Sequence, residues 1–151
     1  MKIDTLKDII HWTRDYHAHL SERMMQSSIE SGNERNQMLL GYLADHEKLL
    51  SEQMEVFEHS GDITALNTWC YEWMDKNPTT EPTVDSPLAD MSTDQILQLV
   101  VEQHQKIIEL YRYLQSRAET DSARECLSQL LGVEEHEVMT MVQGANRMQE
   151  M

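Results

Sequence analysis

Glycine, proline, cysteine and phenylalanine are scarce in this chain, at five, three, two and one in 151 residues. So few turn formers, beside 40% hydrophobic residues and hardly any β-branched runs, exclude a barrel or sandwich of short strands and point to an all-α protein. Two cysteines, Cys70 and Cys126, cannot build a disulfide framework, so a reducing, cytoplasmic setting is expected. No stretch approaches about 18 consecutive apolar residues, which leaves nothing to span a bilayer. The opening MKIDTLKDII has no apolar core or small-residue cleavage site of a signal peptide, and reads as the start of a helix. Positive charge is short as well. Twelve Lys and Arg against 27 Asp and Glu leave a net charge of −15, which excludes nucleic acid or an anionic membrane as a partner held by charge.

What is present is helical pattern. Residues 1–151 read as one domain. The first hairpin, 1–60, holds a helix from Thr5 to Glu30, the turn SGNERN, and a second helix that stops near His59, before Ser60-Gly61. Thr5 with Asp8, and the S-T-D-Q that begins at Ser92, are capping pairs. The second hairpin, 92–151, has a third helix to about Ala118, a turn at ETDS and a fourth helix running nearly to Met151. Between them, the crossover 61–91 is expected to carry a short amphipathic helix in ITALNTWCYEWM, with Trp69 and Trp73 one turn apart, then all three prolines in extended loop. A connection this long can cross the whole length of the helices. The eleven methionines fit gap-filling in a helical core.

The halves resemble each other. One shift lays His17 on His104 and Leu20 on Ile107; a slightly longer one lays Leu40 on Leu130, His46 on His136 and Glu47 on Glu137. Helical spacing then sorts inward from outward residues. His17 falls in the seam Leu6, Ile10, Thr13, His17, Leu20, Met24, and His104 in Leu97, Val100, His104, Ile107, Tyr111. Glu47 falls in Leu40, Leu43, Glu47, Leu50, Met54, and Glu137 in Cys126, Leu130, Val133, Glu137, Thr140. His46 and His136 flank these stripes. Distance from the turns puts His17, Glu47, His104 and Glu137 at one level, so two imidazoles and two carboxylates are expected to meet on the central axis.

A carboxylate buried alone costs several kcal/mol, so Glu47 and Glu137 need partners. A transition-metal site supplies them, with His46 and His136 as outer ligands; so does a purely structural network of His–Glu pairs, or a cavity around a small polar ligand. Other chemistry finds no footing. There is no glycine-rich phosphate loop, no G-x-S-x-G and no H-E-x-x-H, since the two His-Glu dipeptides continue as HEKLL and HEVMT.

Four helices, a long central crossover, internal twofold similarity and core glutamates on the second and fourth helices resemble the ferritin-like superfamily, rubrerythrins included. The resemblance implies an antiparallel four-helix bundle in which each half gives a Glu from its first helix and a Glu-x-x-His from its second to a di-iron centre. Glu47 and Glu137 match those second-helix glutamates. Leu50 and Thr140 stand where the histidines belong, and His17 and His104 replace the first-helix glutamates. The expectation is therefore a rearranged metal site of His17, Glu47, His104 and Glu137 with His46 and His136 nearby. It would hold iron or manganese sooner than zinc, in a homodimer, with oxygen or peroxide chemistry in view. The alternative is a scaffold or interaction protein without a metal, docking a partner through Trp69 and Trp73.

Overall fold

The computed structural model describes residues 4–68 and 88–149; the Trp69/Trp73 segment and the prolines lie outside the described residues. Those described contain no strand. They form α1 (Leu6–Glu30), α2 (Glu34–Ser60), the single turn α3 (Ile63–Leu66), a 3-10 turn at Leu88–Asp90, α4 (Thr93–Arg117) and α5 (Asp121–Gln149). Helix starts follow the side chains anticipated for them. Thr5 and Asp8 bond reciprocally to each other's backbone N–H, as do Ser92 and Gln95. Each pair satisfies two donors that a helix start leaves orphaned. Asn33 caps α2, and Thr120 accepts from the Ala123 N–H at the start of α5. Gly61, just past α2, has an ordinary φ of −72°. Glycine is needed there for space, because a Cβ would stand 2.6 Å from the Phe57 carbonyl oxygen.

Helices α1 and α2 pack as an antiparallel hairpin stitched by serines. Ser28 Oγ donates to the Gln37 carbonyl at 2.9 Å, Ser21 to that of Ala44 at 2.8 Å, and Ser51 to that of Arg14 at 3.1 Å. Near its open end Glu58 accepts from Arg14 at 3.1 Å and from His11 at 2.8 Å. Helices α4 and α5 form the second hairpin. Tyr111 donates to Thr13 Oγ1 at 3.0 Å and Tyr16 to Gln103, which sets α1 antiparallel to α4. Asn36, at the start of α2, donates to the Met91 carbonyl at 2.7 Å, so α2 and α4 begin side by side. The chain leaving α2 must therefore return along the helix, roughly 40 Å at ~1.5 Å per residue. Leu6, Ile10, Leu40, Leu43, Ile96 and Leu130 are among the fully buried residues of the shared core. Among the described residues, no helix is long and apolar enough to cross a membrane.

A single displacement relates the hairpins. Tyr16 and Gln103, which bond to each other, are 87 positions apart. The same step carries the start of α1 to that of α4 and the start of α2 to that of α5. It also lays Leu40 on Leu127, Leu43 on Leu130 and Met54 on Met141, all buried.

One close approach joins α2 to α5. Tyr42 donates to the Thr140 carbonyl at 3.1 Å, and its hydroxyl oxygen stands where a Cβ on Gly144 would be, 2.0 Å away. Gly144→Ala gains about 1 kcal/mol of helix propensity but forces an overpacked contact costing about 1–3 kcal/mol. Its urea midpoint is expected below that of the parent protein. A raised midpoint would show that Tyr42 swings aside without cost.

Candidate metal centre

The apolar stripes of the four long helices each carry one fully buried His or Glu into the core, and the four meet. His17 follows Thr13 by one turn on the buried face of α1, and His104 does the same after Val100 on α4. Glu47 lies between Leu43 and Leu50 on α2. The fourth member is Glu134, one turn past Leu130 on α5. All four are 0% exposed. His17 Nδ1–H donates to Glu47 Oε2 at 2.7 Å and Nε2–H to Glu134 Oε1 at 2.5 Å. His104 Nδ1–H donates to Glu134 Oε2 at 2.9 Å, and its Nε2–H to Glu47 Oε1. Each carboxylate thus bridges both imidazoles, and each imidazole bridges both carboxylates. The rings are 5.1 Å apart between centroids.

Every ring nitrogen and carboxylate oxygen has one partner in this closed cycle. With both imidazoles doubly protonated and both carboxylates ionised, the group is neutral. Burial opposes charge on every member, but the facing opposite charges win. Burial alone would lower His17 and His104. The carboxylates of Glu134 and Glu47 instead raise His17 to about 9 and His104 to about 10. Burial would raise the acids. The imidazoles pull Glu47 below the usual carboxylate range and Glu134 down to about 2.

The structure brings together three of the four residues expected at the centre: His17, Glu47 and His104. Glu137 is not the fourth. It sits one turn beyond Glu134, largely buried, where it accepts from His46 Nδ1–H at 3.2 Å. His46 is half-buried beside the ring of Tyr42, and His136 is exposed. The repeated His-Glu dipeptide favours Glu137, whereas the shift that overlays His17 on His104 also lays Glu47 on Glu134. Both His–Glu pairs within a hairpin are 30 positions apart. Continuing α5 from Leu130 by four residues instead of three finds Glu134.

Loss of one proton from each imidazole turns the nitrogens facing Glu47 into lone-pair donors. His17, Glu47 and His104 each offer one ligand atom, all within 4.8 Å of one another, and could hold a metal ion. Two imidazoles and a carboxylate are the donor set of open-sited iron(II) proteins. Glu134 would go on accepting from the opposite nitrogens, the arrangement that fixes tautomer and orientation in metal-bound histidine. The residues present therefore fit a first-row divalent ion. Its charge would be balanced by the two carboxylates, as the two imidazolium charges are balanced without it. No family model, curated protein or solved structure matches the chain.

Two outcomes test the cycle in chelator-treated protein. The imidazoles titrate higher folded than their usual 6.5, so their stabilisation is complete below that pH and is lost as pH rises through about 9 and about 10. The carboxylates titrate lower folded than their usual 4.5, so theirs is complete above that pH and is lost as pH falls toward about 2. Denaturant titrations should place maximal stability between these ordinary values of 4.5 and 6.5; stability still climbing above pH 8 would contradict charged imidazoles. In the same assay Glu134→Ala is expected to cost about 3–5 kcal/mol, as breaking a buried ion pair does. Glu137→Ala should cost about 1 kcal/mol, as for a pair reaching the surface. Equal costs would restore Glu137 to the centre.

Proposed function

We propose that this chain is a metal-binding four-helix bundle of ferritin-like topology, holding one first-row ion, iron or manganese before zinc. The convergence of two imidazoles and two carboxylates, one from each long helix, at a level with no exposure carries this reading. Two antiparallel hairpins and the long return from α2 to α4 support the topology. Each hairpin contributes a His from its first helix and a Glu from its second. Three residues after those glutamates stand Leu50 and Glu137 in place of the histidines of a di-iron set. One ion rather than a pair suits this smaller ligand group.

His17, Glu47 and His104 would hold the ion, and Glu134 would keep both imidazoles turned toward it. An ion so held supplies Lewis acidity and, as iron or manganese, one-electron chemistry toward oxygen or peroxide. Tyr16 and Gln103 shut the α1–α4 side by their mutual hydrogen bond. Leu20, Ile107, Leu43 and Leu130, one turn away, keep water out.

A second reading rests on the completeness of the cycle: no nitrogen or oxygen in it lacks a partner. There it fixes helix register only. The acidic surface and the Trp69/Trp73 segment would then dock a protein partner or a second copy of the chain.

Elemental analysis of tag-free protein, before and after anaerobic reloading with Fe(II), Mn(II) or Zn(II), separates the two. One equivalent of ion is expected, lost in His17→Ala and in Glu47→Ala, with affinity about 10–100-fold weaker in Glu134→Gln. Protein that takes up none of the three ions would be a scaffold.

A further inference from the structure

Because no member of the cycle touches solvent, an ion can reach it only between helices. Of the four seams at that level, three are closed. Ser21 bonds across α1–α2 to the backbone of fully buried Ala44. Tyr16 and Gln103 bond across α1–α4. On the α4–α5 side, buried Ile108 occupies the position that Ser21 has in the first hairpin.

The α2–α5 seam differs. His46 precedes Glu47 in the chain, and Glu137 is one turn from Glu134, so this pair stands just outside the two carboxylates of the cycle. Its side chains are 20% and 9% exposed. His46 also lines a shallow surface depression with Asp45, Lys48, Leu49 and Glu52, all of α2. Tyr42, 4.5 Å from His46 between ring centroids and tied to the Thr140 carbonyl, holds the imidazole in this position.

We propose that His46 and Glu137 form a gateway, a transient site where a divalent cation exchanges water for an imidazole nitrogen and a carboxylate oxygen before reaching the buried cycle. This rests on the metal reading above. A hydrated ion sheds its shell in steps, and each step needs a replacement donor. Glu137 supplies the anionic one, one helical turn along α5 from Glu134. A second part-exposed carboxylate–imidazole pair, His11 with Glu58, spans the α1–α2 seam, but it stands near the open end of that hairpin, more than one turn from the cycle.

The test mixes full-length, metal-free protein with Co(II) in a stopped-flow instrument and follows the visible bands of the bound ion, with final occupancy from equilibrium dialysis. His46→Gln and Glu137→Gln are expected to reach the occupancy of the parent protein about tenfold more slowly. Glu137→Asp, which keeps the carboxylate, should regain most of the rate. Loosening the helices would open a closed site faster, so slowed uptake cannot be a by-product of lost stability. Unchanged rates in both Gln variants would overturn the gateway, and reduced final occupancy would make the pair ligands instead. If the parent protein binds no Co(II), the metal centre itself falls, and the gateway with it.

Discussion

The buried His–Glu cycle constrains everything around it. Four ionisable groups stand where leucine would otherwise fill the core, and an uncompensated charge there costs several kcal/mol. The cost is offset only if all four hydrogen bonds are made together, since opening one leaves a buried donor facing a buried acceptor. Helix register, the level of each residue and the approach of α2 to α5 are thereby coupled. Apolar packing alone would tolerate a helix sliding by part of a turn; this cycle does not.

The cycle is also the symmetry of the fold expressed in chemistry. Glu47 meets Nδ1 of His17 and Nε2 of His104, while Glu134 meets Nδ1 of His104 and Nε2 of His17. Exchanging the hairpins exchanges these bonds without changing their kind. The neighbouring Tyr16–Gln103 bond joins another pair of equivalent positions, there with unlike residues.

Much of this was legible in the chain. Side chains that bond to a local backbone N–H are strong signals, and Thr5, Asp8, Ser92 and Gln95 mark helix starts by themselves. His17, His104 and Glu47 announce themselves as polar residues inside apolar stripes that begin at a well-marked cap. Glu134 does not. It stands as far into α5 as Glu47 does into α2, but a helical stripe can step by three residues or by four, and from Leu130 the three-residue step meets an apolar residue, Val133, before Glu134. The adjacent Glu135 and the nearby His-Glu dipeptide add acidic residues at every candidate position. Which carboxylate faces inward is then decided by α4, through His104, and no local pattern in α5 records that. The half-exposed state of His46 is likewise set by Tyr42 and Gly144, residues whose pairing spans two hairpins.

The serine stitches have a mechanical meaning. In the second hairpin, Ser21, Ser28 and Ser51 are replaced by Ile108, Gln115 and Val138, and α4 and α5 lie less closely together than α1 and α2. Local opening therefore costs less in the more loosely packed hairpin than in the stitched one. A group that is twofold symmetric in its bonds is clamped asymmetrically: Glu47 and His17 belong to the frame, and Glu134 and His104 to the part that yields.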